Sequence, residues 1–383
     1  MSDTVRGFEE IEFQSRTTRA QTLMSKAGLS ALLLTTEPEI RYFTGFLTRF
    51  WESPTRPWFL VVPSHGKPIA VIPSIGAHLM GQNWIDDIRT WSSPDLKDDG
   101  ISLLAETLAE HKTGPIGTPM GPETHLRMPL ADFAHLKSTG LKIRDDAGIM
   151  RELRMVKSAA EIEKITHACH IAGRAFDRIS EILKPQTPFD QLFRRFQMLC
   201  LEEGADNVPY LAGGFGPKGY GDVISPATPK PVQNGEVVML DTGLTYDGYF
   251  CDYDRNFAVT SADQSVEDGY KRLIEATSTA LDAAKPGKTA SDLFHVMDNI
   301  LTGGKGGNAV GRFGHGLGMQ LTEWPSLTAQ DHTELKPGMV LTLEPGIDIA
   351  PGFGLVHEEN IVITDTGAKM ISPPAQSELP IIS

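Results

Sequence analysis

The chain has 383 residues, of which 40% are hydrophobic and 22% are charged, and its formal net charge is −14. At roughly 150 residues per domain, this length predicts two domains with sizeable cores. The acidic excess argues against nucleic acid or a membrane surface as the main partner, because both favour a basic face. It is compatible with a small substrate.

The cysteines and the N-terminus indicate the compartment. Cys169, Cys200 and Cys251 are widely spaced and form no C-x-x-C pair, so we predict buried thiols rather than disulfides or a cysteine zinc site. The N-terminus lacks the basic and apolar regions of a signal peptide, and no stretch approaches the roughly 18 apolar residues of a membrane span. These features predict a cytoplasmic enzyme.

The first 150 residues alternate between helical and strand patterns, which is typical of an α/β domain. The predicted segments are a helix over 13–28, a buried strand over 31–35, apolar runs over 38–46, 59–62 and 69–72, and a helix over 103–110. This part of the sequence contains no candidate catalytic cluster.

The segment 48–58, TRFWESPTRPW, is predicted as a loop between strands. Rigid prolines with aromatic and Arg side chains can hold a planar or carboxylate group, which makes Arg56 a candidate substrate-binding residue. The favoured alternative is a domain-interface loop whose arginines extend to solvent.

The pattern changes near residue 153, where a long helix is predicted with Ser158 as its N-cap and Glu161 three residues later. We therefore place the domain boundary between residues 152 and 153. A second helix is predicted over 189–203. The piece 213–221, GGFGPKGYG, lacks the context of a phosphate-binding loop, so we interpret it as an active-site loop or a plain turn.

The rest of the chain is predicted to hold two helices, a glycine-dense segment and a final set of strands. The helices are expected near 266–284 and 290–301, the glycine-dense segment covers 303–318, and the strands are expected over 340–343, 347–349 and 356–364.

The segment 235–257, GEVVMLDTGLTYDGYFCDYDRNF, places acidic side chains within a strand pattern. The apolar run 237–240 predicts a strand that ends at Asp241, and Asp247-Gly248 predicts a turn into an antiparallel partner. Alternation along that partner puts Asp252 and Asp254 on one face. Converging carboxylates repel unless a cation lies between them, so we predict a metal site. The alternative is a capping Asp241 and two solvated edge residues.

Three more candidate ligands follow. His315 lies in GHGLG, where the glycines leave room for a close approach to a ligand. Glu344 ends the predicted strand 340–343, and Glu358 lies in the predicted strand VHEENIVIT. Alternation does not decide whether Glu358 and Asn360 or the alternate residues point inward. Each candidate alone has a plain alternative, a core histidine or a solvated acid.

The order of these residues resembles metallopeptidase family M24, the pita-bread fold family of prolidase, Xaa-Pro aminopeptidase, methionine aminopeptidase and creatinase. The resemblance covers the whole chain. It implies an α/β N-terminal creatinase-like domain over 1–152 and an α+β pita-bread catalytic domain over 153–383. It also implies five metal ligands, with the second and the last bridging two ions: Asp241, Asp252, His315, Glu344 and Glu358.

The implied ligand set predicts two divalent cations, with Mn²⁺ preferred and Co²⁺, Zn²⁺ or Fe²⁺ as alternatives. The resemblance implies a dinuclear hydrolase of a C–N bond, Xaa-Pro peptidase-like, in which a metal-bound hydroxide attacks a carbonyl carbon. Glu344 is the candidate catalytic residue that shuttles the proton. The expected substrate is a small peptide or a small amide.

The sequence also departs from the family pattern. The relatives' substrate-side histidines are replaced by Ile224 or Ser225 and by Thr322, their Arg by Val356, and their Thr by Asp254. Those histidines steady the substrate and the oxyanion in the peptidases. Their loss supports an alternative, a small-metabolite enzyme resembling creatinase, ectoine hydrolase or the sulfoniopropionate lyases. A non-catalytic binding module is ranked last.

Two residues are candidate catalytic residues that could compensate for the missing histidines. Asp254 would add a carboxylate on the ligand face, although pairing with Arg255 or a lysine is the alternative, and His357 would serve as a donor. Thr322 and Tyr220 are further candidate substrate-binding residues.

The resemblance also implies a homodimer. In such a dimer the loop of one chain would bring Arg56 to a substrate carboxylate in the partner's site.

Overall fold

The computed structural model describes residues 5–53, 56–306 and 311–383. The chain divides into two compact units between Arg154 and Met155, two residues beyond the predicted boundary. Among the described residues, no helix combines the length and the apolar character needed to cross a membrane.

The N-terminal unit is built around one mixed six-stranded sheet in the order β4-β3-β2-β1-β5-β6. Its elements are α1 Glu10–Ala27, β1 Ala31–Leu34, α2 Glu37–Thr44, β2 Phe59–Pro63, β3 Ile69–Pro73, α3 Ala77–Met80, β4 Asp87–Trp91, α4 Ile101–Ala109, β5 Ile116–Thr118, α5 Leu130–Ser138, β6 Ile143–Asp145 and α6 Ile149–Met155.

The predicted loop 48–58 follows a helix and not a strand, so its placement between two strands was wrong. The preceding apolar run forms α2, because Thr36 and Glu39 make a capping box and Pro38 occupies the first helical turn. A 3₁₀ turn over Arg49–Glu52 then leads towards β2. Residues 54 and 55 of the predicted loop lie outside the described residues.

The C-terminal unit contains two five-stranded sheets and a two-stranded ribbon, with helices packed against them. Its elements are α7 Ala159–Asp177, α8 Phe189–Glu202, β7 Asn207–Gly216, β8 Val237–Tyr246, β9 Tyr249–Phe250, β10 Tyr253–Val259, α9 Gln264–Ala283, α10 Ala290–Thr302, β11 His315–Gly316, β12 Glu323–Ser326, β13 Val340–Leu343, β14 Gly346–Ala350, β15 Phe353–Val356, β16 Glu359–Ile363, β17 Ala368–Met370 and β18 Ile381–Ile382.

The strand order of the two larger sheets brings the predicted acidic segments to adjacent strands. One sheet runs β18-β10-β8-β7, with β9 also paired with β8, and the other runs β12-β11-β13-β16-β17. Ser158 is the N-cap of helix α7 and forms the predicted capping box with Glu161, and the helix lies against β8 and β9. Part of the glycine-dense segment, residues 307–310, lies outside the described residues.

Two details of the predicted hairpin differ from expectation. Strand β8 does not end at Asp241 but continues to Tyr246, because Asp241 is paired with Ala212 of β7 on one side and Asp254 of β10 on the other. The predicted turn at Asp247-Gly248 is confirmed by positive φ angles of 49° and 78°.

Candidate metal centre

The hairpin places two carboxylates directly opposite each other. Asp241 of β8 and Asp254 of β10 are partners in the antiparallel ladder, so their side chains share one face of the sheet. Asp252 lies just before β10 and is 3% exposed. The predicted convergence of acidic residues on this hairpin is therefore present in the structure.

Three of the five implied ligands form a compact group. One ligand atom from each of Asp252, His315 and Glu358 lies within 4.8 Å of the other two. His315 Nε2 is 3.4 Å from Asp252 Oδ2, and His315 Nδ1 is 2.8 Å from the carbonyl oxygen of Gly316. That carbonyl accepts the Nδ1 proton, so the lone pair of the neutral imidazole is on Nε2, the nitrogen that faces Asp252.

The other two implied ligands act electrostatically on this group. Burial, followed by the charges of Asp241 and Glu344, raises the pKa of Asp252 well above its usual range. Burial also raises the pKa of Glu344 to about 7. Burial, with a smaller effect of Arg312, lowers the pKa of His315 to about 4, so the imidazole is neutral at physiological pH.

Unpartnered carboxylate oxygens mark where a cation fits. Four buried carboxylate oxygens on the acidic hairpin and at Glu358 lack a hydrogen-bond partner among the described residues: Asp241 Oδ1, Asp252 Oδ1, Asp254 Oδ2 and Glu358 Oε1. Buried acidic oxygens without donors are costly unless they are protonated or neutralised by a cation. Together with one neutral imidazole they form a donor set suited to hard or borderline divalent ions.

Hydrogen bonds from the side chains of Tyr210 and Asn360 hold two of the implied ligands in place. The Tyr210 hydroxyl donates to Asp241 Oδ2 at 2.9 Å. Asn360 Oδ1 accepts from the Asp252 amide at 3.0 Å, and its Nδ2 donates to the Asp252 carbonyl. The sulfur of Cys169 also lies 3.2 Å from Asn360 Oδ1. These contacts fix both the main chain and the side chains that face the site.

Sequence reasoning missed two residues of this site. Tyr210 reaches Asp241 only through the pairing of β7 with β8, which no local pattern reveals. Arg312 lies three residues before His315. Its positive charge partly offsets the rise in the pKa of Asp252 and of Glu344 that burial causes. A basic residue so close to a candidate ligand was the available signal.

Asp254 and His357 occupy one buried pocket beside the ligands. Asp254 Oδ1 accepts from the Glu358 amide at 3.0 Å, and His357 Nδ1 lies 3.5 Å from the same oxygen. His357 Nε2 lies 3.5 Å from Glu359 Oε1. Arg255 donates to the Asp254 carbonyl and pairs with Glu359 at 3.0 Å, so it does not pair with the Asp254 carboxylate.

The candidate substrate-binding residues have different surroundings. Tyr220 is 5% exposed, and its hydroxyl contacts Asn256 and both main-chain polar groups of Val356. These protein contacts occupy the hydroxyl, and the substrate role of Tyr220 stays a prediction. Thr322 is half-buried in the connection between β11 and β12, and its substrate role stays a prediction.

Arg56, the third candidate, belongs to the N-terminal unit. Its guanidinium lies over the Phe50 ring at 5.2 Å, and its carbonyl accepts from Arg127 at 3.1 Å. Arg127 also donates to the carbonyls of Trp51 and Ser53, so it holds this segment in place. The substrate contact of Arg56 stays a prediction.

The glycines around the ligand histidine serve main-chain packing rather than ring access. A Cβ on Gly314 would lie 2.3 Å from the carbonyl oxygen of Thr342, and one on Gly316 would lie 2.1 Å from that of Trp324. Gly316→Ala is expected to destabilise the protein by about 1–3 kcal/mol through overpacking. Urea unfolding measures this effect, and Gly121→Ala, where the added Cβ meets open space, should leave the free energy of unfolding nearly unchanged. Equal unfolding of the two variants would contradict the packing explanation.

Comparisons with known proteins agree with this geometry. The model of metallopeptidase family M24 matches residues 163–365, and that of the creatinase/prolidase N-terminal domain matches residues 16–156. Probable dipeptidase PepE of Mycobacterium tuberculosis is 27% identical over 380 residues, which cover 96% of each chain. An Xaa-Pro dipeptidase of Pyrococcus furiosus is 30% identical over 260 residues, covering 66% of this chain and 73% of the relative.

A solved structure of a similar protein has the same fold. The crystal structure of dipeptidase PepE from Mycobacterium ulcerans superposes with a TM-score of 0.84 at 27% identity, covering 98% of this chain and 99% of that one. The expected creatinase-like N-terminal domain and pita-bread catalytic domain are thereby confirmed. The chain belongs to metallopeptidase family M24 and is a hydrolase of that family.

Proposed function

We propose that this protein is a dinuclear metal-dependent peptidase that cleaves small peptides, with Xaa-Pro dipeptides as the first substrate class to test. The observation that carries the proposal is the set of unpartnered carboxylate oxygens beside the neutral His315. The names of the relatives, a probable dipeptidase and an Xaa-Pro dipeptidase, supply the substrate class.

The residues that would hold the ions are Asp241, Asp252, His315, Glu344 and Glu358. When bound, two divalent cations supply Lewis acidity and lower the pKa of a water molecule enough to make it a nucleophile at neutral pH. The Tyr210 hydroxyl and the Asn360 amide keep Asp241 and Asp252 oriented.

Glu344 is the proposed proton carrier. It follows directly after β13, and its amide donates to the carbonyl of Phe313 at 3.0 Å, which fixes the main chain beside the site. A carboxyl group beside the attacking water can accept a proton from it and return that proton to a leaving group. We propose that Glu344 takes a proton from the attacking water and passes it to the leaving nitrogen.

The test is hydrolysis by protein freed of metal and then reconstituted with Mn²⁺, Co²⁺ or Zn²⁺. We expect release of proline from Xaa-Pro dipeptides, no release after EDTA treatment, and recovery when the metal is restored. Dipeptides without proline establish whether the specificity is for proline or for dipeptides in general. Inertness towards every peptide in a protein that binds two cations would contradict the proposal.

A second candidate function is hydrolysis of a small amide metabolite on the same scaffold. Asp254 favours it, because this carboxylate replaces the threonine of the family pattern and lies beside the ligands. Turnover of small cyclic or N-acyl amides, without turnover of peptides, would establish this candidate instead.

A further inference from the structure

Asp254 is a buried carboxylate that the five-ligand arrangement does not use. The residue is 1% exposed, so its charge is removed from water. Asp254 pairs with Asp241 in the strand ladder and lies two residues after Asp252. Both of these carboxyl groups are buried. A third carboxylate at this position adds repulsion, and the fold keeps it there only if something compensates.

The hydrogen bonds of Asp254 orient its two oxygens differently. Oδ1 accepts from the Glu358 amide at 3.0 Å and lies 3.5 Å from His357 Nδ1. Oδ2 is buried and has no hydrogen-bond partner among the described residues. The carboxylate is therefore held through one oxygen, and the other is left available.

The free oxygen belongs to the same surface as the implied ligands. Asp254 pairs with Asp241 across the strands, so both side chains lie on one face. Asp252 lies two residues before Asp254 on the same hairpin, and the amide of Glu358 donates to Asp254 Oδ1. Asp254 therefore adjoins three of the implied ligands, Asp241, Asp252 and Glu358.

We propose that Asp254 is a further metal-facing carboxylate of this centre, acting with Asp241 on the cation at that side. The inference rests on the proposed function, because it requires the centre to bind divalent ions. Five carboxylates then surround the two cations, one more than two divalent ions neutralise, and Arg312 supplies a further positive charge next to Asp252. The expected result is tighter retention of the cation on the Asp241 side.

The main test is metal binding by Asp254→Asn. The variant removes the charge and keeps an acceptor for the Glu358 amide. We expect wild type to bind two Mn²⁺ ions, and the variant to bind one of them about 10–100-fold more weakly, as measured by equilibrium dialysis with metal analysis. Asp298→Asn is the matched control, since Asp298 is also 1% exposed but its oxygens accept from Thr302 and Gly306. It should leave both affinities unchanged.

A second measurement separates metal binding from a purely structural role. In EDTA, Asp254→Asn should be at least as stable to heat as wild type, because it removes a buried negative charge that lies close to other buried carboxyl groups. In saturating Mn²⁺, wild type should be more stable to heat than Asp254→Asn. If Asp254 only holds the Glu358 main chain, the variant will be less stable in both conditions, and the proposal is overturned.

Asp254→Thr is a second variant for the case in which Asp254→Asn does not fold. It introduces the residue that the family pattern has at this position. It should fold and show the same weakened Mn²⁺ site. Two unweakened sites in both variants would overturn the role of Asp254 and leave the proposed function intact. A wild-type protein that binds no divalent cation would overturn both.

Discussion

Asp252→Asn is expected to abolish peptide hydrolysis and to release at least one of the two cations. Asp252 lies 3.4 Å from His315 and shares a compact group of ligand atoms with Glu358, so its replacement removes charge from the centre of the site. Loss of an outer hydrogen-bond partner of a metal ligand costs roughly 10–100-fold. Loss of a ligand itself should cost more than that.

The measurement combines activity with metal content. Asp252→Asn and wild type are reconstituted in parallel, and their kcat/KM values and bound Mn²⁺ are compared. Asp298→Asn again controls for the loss of a buried carboxylate elsewhere in the same unit. A variant that keeps two ions and wild-type activity would show that Asp252 is not a ligand.

Local patterns were sufficient for the hairpin because its information is contained in neighbouring residues. The apolar run, the Asp247-Gly248 turn and strand alternation together place Asp252 and Asp254 on one face. The start of α7 was equally local, since the capping box of Ser158 and Glu161 is visible in sequence. Such features need no knowledge of the rest of the fold.

Features that depend on strand pairing could not be predicted. Strand β8 runs past Asp241 because β7 and β10 flank it on both sides, which overrides the polar signal of Asp241-Thr242-Gly243. The contact of Tyr210 with Asp241 arises from the same pairing. The register of β7 against β8 is not visible in the local pattern of either strand.

Glu358 and Glu359 also show what strand alternation cannot predict. The resemblance chose Glu358 over Glu359, and the structure separates the two by their contacts. Glu359 pairs with Arg255 and accepts from Ser372 and the Ala375 amide, whereas Glu358 keeps an unpartnered oxygen. Alternation alone left that choice open, because the long-range partners of Glu359 decide it.

Metal-free protein is expected to lose stability as the pH rises from 4.5 to 7, opposite to the usual behaviour of stabilising carboxylates. The pKa of Glu344 is about 7 in the folded protein, against an ordinary value of 4.5. Below pH 4.5 the carboxyl group is protonated in both the folded and the unfolded chain. Between these two values only the unfolded chain releases the proton, so the folded state becomes less favourable with rising pH.

The expected size follows from the shift in pKa. At about 1.4 kcal/mol per pKa unit, Glu344 alone lowers the free energy of unfolding by roughly 3 kcal/mol by pH 8. Glu344→Gln removes this titration, so in EDTA the variant should become progressively more stable than wild type over the same pH range. The difference between the two proteins reports Glu344 together with its effect on Asp241, Asp252 and Glu358, whose pKa values its charge raises. Urea unfolding at pH 5, 6, 7 and 8 measures it.

Added Mn²⁺ should reverse the trend, because metal ions bind the ionised carboxylate and compete with protons. In saturating Mn²⁺, wild type should therefore gain stability over Glu344→Gln as the pH rises. If the difference in free energy of unfolding between wild type and the variant does not change with pH in EDTA, the pKa of Glu344 is not raised in the folded protein. Its assignment both as a ligand and as a proton carrier would then fail, since both depend on its position beside the buried acids Asp241, Asp252 and Glu358.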